Sequence, residues 1–312
     1  MPLRIISYNV RYFGHALRGA SSTRGGLDAI ATAIAGLEPP PDIVCLQEVE
    51  TRSLRSRLSH EPGDKNGTQL EALMKQLELR LAERERPVRY TGYHFPAHVY
   101  RAGKVPIYTT GLAVLAAQDL SIEQTNVDQP HDITHRRIAR VAKLKQSRVC
   151  AHLRLYNRHG ESLDIFNTHL SLPSFATADF FTPKKPRMGY GENQQKEVDR
   201  LADFISQTSA SDRFIVLGDF NSLPESPAYN HLLSRLPVTD PFPSALKLSP
   251  IELRSAWPTA GFMHLRMRLD HFFVGPGLEL IDLDDSHPFG QAGGRWHGLS
   301  DHVPLVGRFR VR

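Results

Sequence analysis

Polar residues fall at the ends of apolar runs in this 312-residue chain, and that placement is where its chemistry is legible. Asn9 lies near the end of LRIISYNV (3–10), Glu48 near the end of DIVCLQEV (42–49), His169 near the end of LDIFNTHL (163–170), and Asp219 with Asn221 at the end of RFIVLGDFN (213–221). A buried strand that finishes in a carboxylate, amide or imidazole carries a desolvation cost that folding does not require; convergence on one site is the economical explanation. Side chains two apart on a strand share a face, so Asn167 pairs with His169 and Asp219 with Asn221 as groups able to address one ligand. Oxygen-rich groups such as Glu48, Asp219, Asn9 and Asn221 suit a hard cation, Mg2+ most naturally and Mn2+ as the alternative, which keeps waters for a phosphate. Zinc fits less well, because Cys45 and Cys150 sit inside strand-like runs and no HExxH or paired CxxC spacing occurs. Further along, RLDHFFV carries Asp270 and His271, and LSDHVPL carries Asp301 and His302. An Asp that accepts a hydrogen bond from a His fixes its tautomer and raises its basicity, so a charged imidazole can meet a phosphoryl oxygen. Asp301 and His302 are adjacent and would face opposite ways in a regular strand; their convergence requires irregular backbone at Leu299-Ser300.

The elements that must position these residues follow from periodicity. Besides the four runs above, TGLAVLAA (110–117), VCAHLRLYN (149–157), RLDHFFV (268–274) and VPLVGRFRV (303–311) read as strands, so at least eight are expected. Helical stripes occur at Leu27, Ile30, Ala31 and Ile34, ahead of the Pro39-Pro40-Pro41 breaker; at Leu70, Leu73, Met74, Leu77 and Leu81; and at Val198, Leu201, Ala202 and Ile205. No repeat, low-complexity tract or linker divides the chain. The expectation is one α/β domain over 1–312, with sheets packed together, helices outside, and a long loop at about 173–192.

Composition narrows the class. With 40% hydrophobic and 23% charged residues, a disordered chain or a small disulfide scaffold is excluded. The two cysteines read as reduced core residues. No secretory cleavage site follows Met1 and no run reaches a membrane-span length, so a soluble, cytoplasmic protein is expected. The excess of 38 Lys and Arg over 33 Asp and Glu, +5, hints at an anionic partner. It concentrates in Ile133–Gly160, with Arg136, Arg137, Arg140, Lys143, Lys145, Arg148, Arg154 and Arg158 and no acid, and in the loop, where Lys184, Lys185 and Arg187 mix with Phe175, Phe180, Phe181 and Tyr190. The basic stretch reads equally as a solvated strand pair or a phosphate track; the loop could stack bases, dip into a lipid interface, or simply pack. His271 reads as a packing residue behind Asp270, and Trp257 and Trp296 as core or rim aromatics. His131 and His135 would pair on a metal only in a helix, and Pro130 argues for a loop.

SYNV, LQEVE, NTHL, GDFNS, RLDH and LSDH, in that order from residue 3 to residue 311, resemble the endonuclease/exonuclease/phosphatase superfamily, also called deoxyribonuclease I-like. The resemblance implies a four-layer α-β-β-α sandwich of two packed mixed sheets flanked by helices, and metal-dependent hydrolysis of phosphoester bonds. It makes Glu48 the main Mg2+ ligand with Asn9 beside it, Asp219 and Asn221 contributing, and Asp301 completing the sphere through water. Asp219 would orient or deprotonate the attacking water, with Asn221 helping to hold it. His169 and His302 would stabilise the charged phosphorus, Asp270 would pair with His302, and Asn167, His169 and His302 would face the substrate. GLAVLAAQDL resembles the family's Gly-rich middle strand but has Ala116, Ala117 and Gln118 where polar and basic residues often end it, so substrate contacts from that strand are not expected on the resemblance. LQEVE is less like abasic-site endonucleases than like deadenylase, sphingomyelinase and general phosphoesterase branches.

Three functions compete. The favoured one is a Mg2+-dependent phosphodiesterase on DNA or RNA; the second acts on lipid or small phosphate esters, as a sphingomyelinase or phosphoinositide phosphatase would; the third is a non-catalytic binding member, against which the intact site residues argue. A phosphate-ester substrate is the expected partner, with nucleic acid favoured over membrane lipid and no obligate protein partner evident.

Overall fold

Alternation of side chains across strands decides the architecture. The computed structural model describes residues 2–13, 22–50, 68–86, 88–102, 105–135, 147–173, 187–262, 264–291 and 293–312. The first mixed sheet contains β1 (Leu3–Asn9), β2 (Ile43–Val49), β3 (Tyr90–Ala102), β4 (Val105–Ala117), β13 (Leu278–Asp282) and β14 (Leu305–Val311), in the order β13-β14-β1-β2-β4-β3. The second contains β5 (Ser121–Thr125), β6 (His131–Asp132), β7 (Val149–Tyr156), β8 (Ser162–His169), β9 (Phe214–Asp219) and β12 (Asp270–Val274), in the order β12-β9-β8-β7-β5 with β6 on β7. Pairing is parallel for β1–β2 and β8–β9 and otherwise antiparallel. A short hairpin, β10 (Ala260–Phe262) and β11 (Leu265–Met267), stands apart.

Leu163 and Ile165 of β8, Ile215 and Leu217 of β9 and Phe272 of β12 point inward and join Ile5, Val44 and Val306 of the first sheet in one buried cluster. The residues between them, Phe166, Val216 and Phe273, point outward and pack with α3 (Glu192–Thr208) and α4 (Pro227–Arg235) through Val198, Leu201, Ile205 and Leu232. On the other side α1 (Ser22–Ala35) and α2 (Gln69–Ala82) cover the first sheet, Leu70 and Met74 lying against Gly92 of β3. Two further short helices are α5 (Phe242–Leu246) and α6 (Pro250–Ala256). The layers are thus α-β-β-α, as the motifs implied. Thr68 and Glu71 cap α2 reciprocally, each side chain bonding the other's backbone N–H.

All eight expected strands are present. The long β3 carries no clear signal, because His94 and Pro96 interrupt its apolar pattern and its register shifts at Pro96. Cys45 and Cys150 are buried, free, and in separate clusters. Among the described residues no helix is long and apolar enough to cross a membrane. Most of the expected loop, with Phe175, Phe180, Phe181, Lys184 and Lys185, lies outside the described residues, as do Arg136, Arg137, Arg140, Lys143 and Lys145.

A buried charge network ties the second sheet to the end of α3. Asp164 accepts from Arg154 Nε at 2.9 Å and from the Ala210 amide at 3.1 Å, and lies 2.7 Å from His152 Nε2. Burial opposes its ionisation, but His152, the Ala210 amide and Arg154 outweigh it and hold the carboxyl below its ordinary range. Its stabilising effect is therefore full above about pH 4 and is lost as pH falls through the lowered folded-state value. Asp164→Asn is expected to lower stability by roughly 2 kcal/mol at pH 7 and by much less near pH 3. Urea unfolding at the two pH values checks this; equal losses would contradict it.

Candidate active site

Strand register brings the predicted residues to one edge. In the second sheet Asp219 pairs with His169 of β8 on one side and with Asp270 of β12 on the other. The close approach of β8 and β9 depends on Gly218, whose φ is 139° and where a Cβ would stand 1.9 Å from the Thr168 carbonyl oxygen. In the first sheet Asn9 pairs with Gln47, and the next residue, Glu48, adopts a left-handed φ of 56° inside a β2–β4 register shift between Leu46 and Val49. A bulge of this kind re-aims a side chain, here turning Glu48 toward the second sheet's edge.

Asp219 Oδ2 is the hub. Asn9 Nδ2 donates to it at 3.0 Å and reaches Glu48 Oε1 at 3.3 Å. His169 Nε2 lies 3.4 Å and His302 Nε2 3.7 Å from the same oxygen. Asn221, left-handed at φ 47°, donates its backbone N–H to Asp219 Oδ1 at 2.9 Å; its Nδ2 donates to the Leu170 carbonyl at 2.9 Å and lies 3.2 Å from His169 Nε2.

The irregular backbone required at Leu299-Ser300 is present. Ser300 Oγ donates to the Asn9 carbonyl at 2.8 Å and accepts from the His302 amide at 3.2 Å, which folds the segment over the end of β1. His302 then turns inward and its Nδ1 lies 2.8 Å from Asp270 Oδ2. Asp301 turns away and forms an ion pair with Arg11. Thr259 Oγ1 accepts the amides of Leu269 and Asp270 at 2.9 and 3.1 Å, fixing the start of β12.

Electrostatics separates the three titratable groups. Burial raises the proton affinity of Asp219 well above the carboxylate range, with Asp270 adding to the effect and His302 opposing it. Burial would lower the pKa of His302, but the carboxylates of Asp270 and Asp219 outweigh it and hold the imidazolium far above its ordinary range. His169 goes the other way, pushed well down by burial and then by Arg148 and His302, so it is neutral at pH 7. Asp270→Asn should release His302 toward a lower pKa. Expected are a loss in kcat of roughly 10²-fold and a high-pH limb displaced to lower pH, read from a pH–rate profile; an unmoved limb would argue against the pairing.

The placements differ from expectation in places. Asn9, Glu48, Asp219, Asn221, His169, Asp270 and His302 come together. Asn167, expected at the substrate, is fully buried between the sheets: it accepts from Gln47 Nε2 at 2.8 Å and donates to the carbonyls of Leu46 and Ala113 at 3.1 and 3.3 Å. Both amide protons are committed, so the residue clasps the sheets instead of facing a ligand. Asp301, expected to complete a cation site through water, has one carboxylate oxygen taken by Arg11. His271 points to the outer face, within 2.8 Å of the Ser222 carbonyl, as a packing residue would. His131 stacks on Phe204, and Trp296 is fully buried. Sequence reasoning missed Gln47, although it lies inside a motif, and Gln194, whose Nε2 donates to the Asn221 carbonyl at 2.7 Å.

Among the described residues, Asp219, Asp270 and His302 have ligand atoms within 4.8 Å of one another and form a candidate metal cluster. Asp270 Oδ2 is already engaged by His302, however, whereas Glu48 and Asp219 converge on one amide, Asn9, with Glu48 about one-fifth exposed. Two carboxylates at an open edge fit a hard, oxygen-seeking cation; Asn9 meets them with its Nδ2 while its Oδ1 accepts the Arg11 amide at 3.0 Å, so it orients the carboxylates.

The α-β-β-α sandwich gathers carboxylates, amides and imidazoles on the shared edge of its two sheets. The chain belongs to the Endonuclease/Exonuclease/phosphatase family, whose profile matches residues 6–302. No curated protein matches it in sequence. Solved structures of similar fold include a family protein from Leptotrichia buccalis (18% identity, TM-score 0.64, 99% of each chain covered). ANGEL2, described as a 2',3'-cyclic phosphatase in complex with adenosine-2',3'-vanadate, has 16% identity and a TM-score of 0.62 over 100% of this chain and 96% of that one. A mannosyl-6-phosphatase from Bacteroides thetaiotaomicron has 15% identity and a TM-score of 0.57, with 99% of each chain covered.

Proposed function

We propose that this chain is a Mg2+-dependent phosphodiesterase that cleaves DNA or RNA by attack of an activated water. The observation that carries the reading is Asp219 Oδ2, a buried carboxylate oxygen within 3.7 Å of Asn9, His169 and His302 together. A Mg2+ or Mn2+ ion held by Glu48 and Asp219 would supply positive charge for the phosphoryl and leaving oxygens, and Asn9 would join them only by turning its amide over and releasing the Arg11 N–H. Asp219, oriented by the Asn221 N–H, takes the proton of the attacking water. His302, kept cationic by Asp270, contributes charge and a hydrogen bond to a phosphoryl oxygen; neutral His169 contributes a hydrogen bond. Asp301 would join the cation only by releasing Arg11. The net charge of +5 favours a polyanionic substrate such as nucleic acid. The similarity in fold to a mannosyl-6-phosphatase favours the second reading, a lipid or small-molecule phosphoesterase.

The test is turnover with Mg2+ and with EDTA on plasmid DNA, single-stranded DNA, RNA, bis(4-nitrophenyl) phosphate, sphingomyelin, inositol phosphates and mannose 6-phosphate. Cation-dependent cleavage of a nucleic acid is expected. Turnover of the aryl diester with every nucleic acid intact would overturn the nucleic-acid reading, and turnover that survives EDTA would overturn the cation.

A further inference from the structure

The basic stretch of 133–160 divides sharply once its partners are known. Arg154 is bound to Asp164 at 2.9 Å, and Arg158 to Asp119 at 2.6 Å and Asp42 at 2.8 Å, so both serve the fold. Arg148 is different. Among the described residues no carboxylate pairs with its guanidinium, and its Nε is buried with no hydrogen-bond partner, although the side chain is only partly covered. Its backbone is firmly held: its N–H donates to Thr134 Oγ1 at 2.7 Å, and its carbonyl accepts from the Ile133 amide at 2.9 Å and from Thr134 Oγ1 at 3.2 Å. It lines a notch between β4 and the start of β7 with Thr110, Gly111, Ser147 and His169. Arg11, near the same edge, is already neutralised by Asp301. A partly desolvated guanidinium without a counter-charge is costly to keep, and its planar fork matches phosphate oxygens.

We propose that Arg148 forms a second anion subsite beside His169, which takes a phosphate next to the one that reacts, so that the substrate carries at least two phosphate groups. This rests on the phosphoesterase reading of the Asp219 centre and deepens it. The second phosphate belongs either to the adjoining link of a nucleic acid chain or to a small bisphosphate, and the two arms of the test separate them.

The first arm compares kcat/KM for a dinucleoside monophosphate with that for the same dinucleotide bearing a 5'-phosphate. The second compares an inositol monophosphate with an inositol bisphosphate. In the unaltered protein the added phosphate should raise kcat/KM at least about tenfold in one arm. Arg148→Gln should collapse that ratio toward one, and Arg148→Lys should restore part of it. A purely structural Arg148 would lower Tm and leave the ratio intact, which overturns the proposal; so would the absence of any gain from the added phosphate in both arms. Binding keeps the two readings apart. Pyrophosphate should raise the Tm of the unaltered protein more than orthophosphate does, and Arg148→Gln should erase the difference. That result without turnover of any ester would sink the activity and leave the subsite standing. Turnover with identical ratios in the unaltered protein and Arg148→Gln would do the reverse.

Discussion

Asp219→Asn is expected to lower kcat by roughly 10³–10⁴-fold at saturating Mg2+ and neutral pH. The substitution keeps the shape of the side chain and an oxygen for Asn9, but removes the charge and the proton-accepting oxygen on which Asn9, His169 and His302 converge. Stability should move in the opposite direction. Burial raises the folded-state proton affinity of Asp219 above that of an unfolded Asp, so the folded chain binds the extra proton and the residue's contribution to stability falls as pH rises from about 4 upward. At pH 7 the neutral amide should therefore unfold later, by on the order of 1–2 kcal/mol. Steady-state kinetics on bis(4-nitrophenyl) phosphate with Mg2+, and thermal melts of the same protein in EDTA, where no cation meets Asp219, provide both readings. Activity within tenfold of the unaltered protein would remove Asp219 from the chemistry, and a large loss of stability would make the kinetic defect a folding defect.

Asn167→Leu should have the opposite signature, a large effect on stability and none on substrate affinity. Asn167 donates to carbonyls of two first-sheet strands and accepts from Gln47, itself fully buried. Leucine leaves the Gln47 amide and those carbonyls without their partner in the interior, a loss of roughly 3 kcal/mol, or about 5 °C in Tm for a chain of this length. KM should be unchanged, whereas a residue that touched substrate would raise it. Because Leu46 borders the bulge that presents Glu48, kcat is expected to drop by about tenfold as the bulge loosens. Urea unfolding and the separation of kcat from KM test this, and a raised KM at unchanged stability would return Asn167 to the substrate.

The case of Asn167 shows where local reading stops. Period-two alternation places it correctly on the inner face with His169, yet the two residues meet different surroundings. His169 stands at the edge beside Asp219, while Asn167, one step deeper, is capped by the opposing sheet. Depth between sheets is a non-local quantity, and a strand pattern does not contain it. Glu48 is a second instance: its presence near a strand end is visible, but the bulge and left-handed backbone that aim it arise from pairing with a strand more than sixty residues away.

From the sequence alone came the identity of the reacting groups and the layers that carry them, because each polar residue at the end of an apolar strand declares its desolvation cost locally, and apolar alternation does the same for the core. Tertiary structure decided the rest. Register set Asp219 between His169 and Asp270; the Ser300 turn sent Asp301 to Arg11 and His302 to Asp270. Among the described residues, ion pairing then left Arg148 without a carboxylate partner while Arg154 and Arg158 found theirs. A cation's role depends on which anion the fold brings within reach, and that is a property of distance between strands and loops, not of the order of residues along the chain.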